Sequence, residues 1–245
     1  MAQTTGLTPA VQEYLESLYW LGEAGIERTP TNLARAMRVS PPSVTEMVRR
    51  LERDGLVARG PDKRIALTEE GDRVARHVVS RHRLVEAFLV RVMGVPWDEV
   101  HEEAEAFEMG VTPALEARML EMIGEVRTCP HGHPIGDFPR EPGVPLTGVA
   151  AGSVVRVLRF ENEDHELLRT FMRAGLQPRA TYTIAGFDGD QARLLGAAGT
   201  TVELPLHAAR TISVSVERPG DGAPIETDQE SLATAYLLGE SHWSR

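Results

Sequence analysis

The sequence predicts an α+β chain: an N-terminal winged helix-turn-helix, a helical domain, and a small C-terminal β-barrel. Apolar residues recur at helical spacing through the first 123 residues. From Ser153 onward the period shortens to that of strands. Between them, "TCPHGHPIGDFPREPGVPLTG" is rich in proline and glycine and reads as a linker. The boundaries that follow are 1–74, 75–136, a linker at 137–150, 151–218 and a tail at 219–245.

Each element has a local cause. "PAVQEYLESLYWLGE" places Val11, Leu15, Leu18, Tyr19 and Leu21 on one helical face behind a Thr8-Pro9 start. "TPTNLARAMRV" gives a second, short helix, with Thr31 as N-cap and Leu33, Ala34 and Met37 inward. In "VSPPSVTEMVRRLERDGLV", Ser40 caps and Pro41 takes the first helical position. Val44, Met47, Val48 and Leu51 form the buried stripe, and Asp54-Gly55 ends the helix. Leu56-Val57 and Ile65 to Leu67 flank a polar tip at Gly60 to Arg64, a two-stranded wing.

A long helix starts at Thr68-Glu69-Glu70 and runs to about Met93, another opens within "VPWDEVHEEAEAFEMGVT" with Asp98 and Glu99 in its first turn, and "TPALEARMLEMIGEV" is a third. Three such helices make a bundle or a dimer interface, and methionines and leucines exposed on one side suit the interface. "VVRVLRF", "ATYTIAGF", "QARLLG", "TTVELPL" and "TISVSVE" are strands, with one helix, "DHELLRTFMRAG", after the first. A short helix is expected in the tail, around Leu232 to Leu238.

Charge separates the parts. The 245-residue chain has a net charge of −10, yet Arg28 to Arg83 holds thirteen basic and seven acidic residues. A basic segment inside an acidic chain suits a DNA-reading module attached to something else. The third helix exposes Ser43, Glu46, Arg49, Arg50 and Arg53, and the wing tip adds Lys63 and Arg64. In such folds the first turns of that helix meet base edges, while arginines and wing residues meet phosphates. No apolar run is long enough to span a membrane, and the N-terminus lacks a basic start and apolar core, so the chain is read as cytoplasmic. The single cysteine, Cys129, excludes an intrachain disulfide and a cysteine-only metal site. His131 and His133 stand beside it, but the spacing lacks the second half of a zinc motif and reads as a structured turn.

The acidic stretch "HEEAEAFEMG" raises a different question. At about 100° per residue, His101, Glu105 and Glu108 share one helical face. Like charges so stacked repel unless a cation sits among them. Glu13 and Glu16 are i, i+3 neighbours on the first helix, and His82 and Glu86 are i, i+4 on the long one. Ligands offered by several helices of a bundle are how carboxylate-rich metal sites are built.

Through "EYLESLYWL", "SVTEMVRRLERDGLV", "LTEEGDRVA", "RHRLVEAFL", "VHEEAEAFE" and "CPHGHPIG" the chain resembles the diphtheria-toxin-repressor and manganese-transport-regulator family of metal-dependent transcription factors. The resemblance covers residues 8–136 and extends more loosely over the barrel, which it makes SH3-like. It implies a homodimer in which bound Mn(II) or Fe(II) orders the first helix and sets two recognition helices on a palindromic operator. Zn(II), Co(II) and Cd(II) are the substitutes it implies in vitro. By position it implies Glu13, Glu105 and Glu108 as ligands of one site, with Glu16 added in the manganese branch. His82, Glu86 and His101 belong to the other, and Asp164 is the barrel's contribution. Met109 stands where the family has a histidine, and a thioether is a poor ligand for Mn(II). The oxygen ligands favour manganese. On the DNA side Ser40, Pro42, Ser43, Thr45 and Glu46 align with the base-proximal turn.

The function expected is therefore a metal-sensing repressor of metal uptake. One alternative is a winged-helix regulator sensing a small molecule, with the acidic faces merely solvated. A metal-dependent hydrolase is the other, and no nucleophile constellation or phosphate loop speaks for it.

Overall fold

The computed structural model describes residues 7–222 and 224, apart from residues 61 and 109 and the side chain of residue 198. The tail helix expected near Leu232, and Met109, lie outside the described residues.

Helix α1 (Pro9–Glu23) buries Val11, Tyr14, Leu15, Leu18 and Leu21. Helix α2 (Pro30–Met37) starts two residues earlier than its sequence suggests. Thr29, not Thr31, is the cap, its hydroxyl accepting the Asn32 amide at 3.1 Å. The reason is Pro30, whose missing N–H and fixed φ suit the first helical position. Helix α3 (Pro41–Arg53) is capped by Ser40 and buries Val44, Val48 and Leu51, with Met47 half-buried. Strands β1 (Val57–Arg59) and β2 (Ile65–Leu67) pair antiparallel as the wing. One apolar core joins α1, α2, α3, the wing and the start of helix α4 (Glu69–Phe88).

Helix α4 is the organising element. It packs against α1, helix α5 (Val100–Glu108) and helix α6 (Pro113–Ile123). It ends in a π turn at Leu89–Met93. Asp98 and Glu99 lie in the turn before α5 rather than in its first turn. At Gly71 the helix nearly touches the wing: a Cβ there would stand 1.8 Å from the Leu56 carbonyl oxygen. Backbone cannot yield as a flexible side chain can, so Gly71→Ala is expected to destabilise the protein by about 1–3 kcal/mol. A denaturant midpoint unchanged from wild type would contradict that packing.

The segment read as a linker is ordered structure. Residues 128–134 form a turn closed by a Thr128–Pro134 bridge. Strand β3 (Val144–Pro145) and the buried Leu146 and Thr147 belong to the C-terminal sheet and its surroundings. Strands β4 (Val154–Phe160), β5 (Thr181–Asp188), β6 (Gln191–Leu195), β7 (Thr201–Pro205) and β8 (Ile212–Arg218) complete an antiparallel sheet of order β3-β8-β4-β5-β6-β7. It encloses one core with helix α7 (His165–Arg173), led by Phe160, Leu168 and Phe171. No helix among the described residues is long and apolar enough to cross a membrane.

Candidate metal centre

On α4, His82 and Glu86 project one helical turn apart toward His101 on α5. His82 Nε2 lies 3.2 Å from Glu86 Oε1 and 3.2 Å from His101 Nδ1, and His101 Nδ1 lies 3.1 Å from the same Glu86 oxygen. A fourth group comes from the β domain: Glu163 Oε2, just before α7, is 3.0 Å from His101 Nδ1. One ligand atom from each of His82, Glu86, His101 and Glu163 lies within 4.8 Å of all the others. Glu86, Cys129 and His131 form a second group by the same measure.

The residue 128–134 turn is drawn in by its glycine and by α4. Gly132 has φ 96°, and a Cβ there would meet the Leu158 carbonyl oxygen of β4 at 1.9 Å. Arg83 pairs with Glu23 of α1 and donates to the Pro134 carbonyl at 3.0 Å, while Ser80 accepts the Gly136 amide at 2.8 Å. Thus held, His131 is fully buried, with Nε2 2.7 Å from the Trp97 carbonyl. A carbonyl can only accept, so Nε2 carries the proton there. In the neutral ring Nδ1 is then a bare lone pair, 3.3 Å from both Glu86 and Glu163. Lone pairs so opposed need a cation between them, a proton or a metal ion. His133 is oriented likewise, Nε2 donating to the Phe160 carbonyl at 2.9 Å.

The electrostatics follow. Burial would raise the carboxyls of Glu86 and Glu163, but the surrounding imidazoles hold both well below the usual range. Against burial, Glu86 and Glu108 raise His82 well above its usual range, Glu163 and Glu86 do the same for His131, and they lift His101 to about 9. Burial and Glu86 push the Cys129 thiol up to about 11. Glu86 Oε2 is buried with no hydrogen-bond partner among the described residues, and His82 Nδ1, Glu108 Oε2 and His131 Nδ1 meet opposite groups only at 3.3–3.4 Å, outside good hydrogen-bond geometry. Imidazole nitrogens, carboxylate oxygens and a thiol converging on orphaned buried atoms are a donor set that fits a divalent ion.

Protons stand in for that ion at low pH. His101, ordinarily near 6.5, and Glu16, ordinarily near 4.5 but raised to about 8 chiefly by burial, both bind protons more tightly folded than unfolded. The His101 contribution to stability is complete below pH 6.5 and is lost as pH rises through about 9; that of Glu16 is complete below 4.5 and lost through about 8. The metal-free melting temperature is therefore expected to fall between pH 6.5 and 9, and saturating Mn(II) to abolish the fall. A flat profile without metal would contradict this.

The other sequence-predicted residues divide. Glu16 of α1 is buried, and its proton affinity responds to His82, Glu108, His101 and Glu105. Glu108 Oε2 is 3.4 Å from His82 Nδ1, and Glu105 is 3.8 Å from His101 Nε2. Glu108 thus flanks His82 and Glu105 flanks His101, with Glu16 close enough in charge to both to complete an oxygen-rich flank. Glu13 is exposed and joins neither close group. Asp164 also stands apart from both: it is the N-cap of α7, accepting the Leu167 amide at 3.0 Å, and its neighbour Glu163 is the carboxylate that enters. Glu163 is not among the residues expected from sequence, and there Cys129 and His131 read as part of a structured turn. The acidic run "ENED" and the Cys-x-His spacing were the available signals.

On α3, Pro42, Ser43, Glu46 and Arg49 are exposed, and Thr45 and Arg50 are half-buried. The Ser40 hydroxyl caps, the Thr45 hydroxyl donates to the Pro41 carbonyl at 3.0 Å, and Arg50 lies 3.8 Å from Asp54. Lys63 and Arg64 are exposed at the wing tip, where Arg64 pairs with Glu27 and Asp62.

Known proteins resemble the chain in sequence and fold. The profile described as "Iron dependent repressor, N-terminal DNA binding domain" matches residues 6–65, and "Iron dependent repressor, metal binding and dimerisation domain" matches 68–137. The iron-dependent repressor IdeR of Mycobacterium tuberculosis is 32% identical over 224 residues, 85% of this chain and 97% of that protein. A structure described as a manganese-dependent transcriptional repressor in complex with manganese superposes with a TM-score of 0.76 at 32% identity, covering 84% of this chain and 99% of the other. ScaR with bound Zn2+ gives 0.72 at 29% identity, over 85% and 100%. With both halves of its regulatory core matched and a relative aligned along nearly its whole length, the chain belongs to the iron-dependent repressor family of metal-dependent, DNA-binding transcriptional repressors.

Proposed function

We propose that this repressor senses Mn(II), with Fe(II) the second candidate, through an ion held by His82, Glu86, His101 and Glu163. A neighbouring site shares Glu86 and adds Cys129 and His131. The single observation that carries the reading is the convergence of His82, Glu86, His101 and Glu163 from α4, α5 and the β domain within 4.8 Å. Two imidazoles and two carboxylates suit Mn(II) or Fe(II), and the oxygen-rich flank of Glu16, Glu105 and Glu108 favours the harder ion. The thiol of Cys129 would discriminate at the second site, because a softer ion displaces its proton more readily. Zn(II), Co(II) and Cd(II) are the expected substitutes in vitro.

The occupied protein acts as a homodimer on a palindromic operator and represses metal-uptake genes. Exposed Met93, Phe107, Leu115, Leu120 and Met122, near the end of α4 and on α5 and α6, supply the apolar surface for the dimer. Pro42, Ser43 and Glu46 are placed for base edges, and Arg49, Arg50, Lys63 and Arg64 for phosphates. Metal enters by linkage: it favours the DNA-competent arrangement by its differential affinity for that state, and DNA tightens metal binding reciprocally. The test is selection of genomic fragments by the Mn(II)-loaded protein. Recovery of one inverted-repeat sequence, lost when chelator is present, is the expected result. Enrichment of unrelated sequences, or the same sequence equally with chelator, would refute the reading.

A further inference from the structure

Glu16, Trp20 and Glu23 stand at i, i+4 and i+7 on α1, one helical face turned toward the centre. Trp20 touches both imidazoles of the first site. Its ring centroid is 5.8 Å from His82, edge-on at 73°, and 5.8 Å from His101, tilted at 50°. The two imidazoles are themselves 4.8 Å apart. One indole therefore spans rings that come from α4 and α5, while its helix belongs to the core shared with the reading helix α3. We propose that Trp20 is the positioning residue through which occupation of the centre is felt by α1, and so by the DNA-reading domain. The inference rests on the metal-sensing reading above.

Without an ion the two ring planes are set by contacts to Glu86, Glu108 and Glu163, and an ion that replaces those contacts resets planes on which the aromatic contact with Trp20 depends. An ion bound to both rings fixes both planes at once. The indole then docks against a rigid surface, and α1 is held more tightly in the occupied state than in the free one. Glu16 reaches the same region by charge; Trp20 does so by shape. Because Trp20 is half-exposed, at the edge of a pocket lined also by Glu23, Arg83, His133 and Glu163, a smaller residue there leaves no closed cavity in the core.

The test uses the full chain, with Trp20→Leu and the conservative Trp20→Phe, and Mn(II) and Zn(II) as probes. Hydrogen exchange of α1 amides is measured with and without metal, together with metal affinity in the absence of DNA and the metal-induced gain in DNA affinity. In wild type, metal is expected to protect α1. In Trp20→Leu the protection gain is lost, metal affinity without DNA falls by no more than the factor by which metal protects α1 in wild type, and the metal-induced gain in DNA affinity drops about tenfold. Trp20→Phe restores most of both. The proposal is overturned if wild-type α1 gains no protection, or if Trp20→Leu keeps the wild-type gain. If wild-type DNA binding ignored metal, the repressor mechanism would fall, and the exchange data would still decide whether Trp20 couples the centre to α1.

Discussion

Glu86→Gln is expected to lower metal affinity by more than about a hundredfold and to abolish metal-dependent DNA binding. One carboxylate oxygen, Glu86 Oε1, lies 3.1–3.3 Å from ring nitrogens of His82, His101 and His131, so a single side chain serves both groups of ligands. Glutamine keeps the volume and removes the charge. Its amide oxygen is a weaker donor to a hard cation, and its amide nitrogen cannot bind one. The buried imidazoles also lose a counter-charge, and an unpaired buried charge is costly. The metal-free variant is therefore expected to melt lower than wild type near pH 6, where the imidazoles are protonated. Calorimetric titration with Mn(II), alongside circular dichroism to establish folding, checks both statements. Wild-type affinity in a folded Glu86→Gln protein would remove Glu86 from the centre.

The second large effect separates two adjacent residues. Glu163→Gln is expected to weaken metal binding by about 10- to 100-fold, whereas Asp164→Asn leaves it within about twofold. Glu163 Oε2 is 3.0 Å from His101 and 3.3 Å from His131, and it is the β domain's carboxylate in the first group. Asp164 caps α7, and asparagine caps about as well as aspartate. The same titration on both variants decides it. Loss at Asp164 with no change at Glu163 would show that the loop before α7 is turned the other way.

That one-residue difference marks the limit of what sequence can say. Local signals predicted most helices and strands, because a cap, a proline or a glycine acts within a few residues: Ser40-Pro41 and Thr68 stand where expected, and Thr29 displaced Thr31 only because Pro30 follows it. His82 and Glu86 were legible for the same reason, being one turn apart on one helix. Helical phase separates Glu13 from Glu16. Three residues leave them about 60° apart, and Glu16 is buried while Glu13 is exposed. Glu163, Cys129 and His131 were not legible, because docking decides them. The β domain brings Glu163 to α5, and the close approach of Gly132 to β4 turns His131 inward. A proline- and glycine-rich stretch reads as a linker until the surface it folds against is known.

On the proposed function, metal held at this centre controls DNA binding. The most direct test is the affinity of the chelator-stripped protein for the selected DNA fragment at fixed salt, titrated separately with Mn(II), Fe(II) and Zn(II). Tightening of at least about tenfold with Mn(II) or Fe(II), reversed by EDTA and absent in Glu86→Gln, is the expected result. Equal affinity with and without metal would contradict it, leaving a DNA-binding protein whose buried histidines and carboxylates serve only its fold.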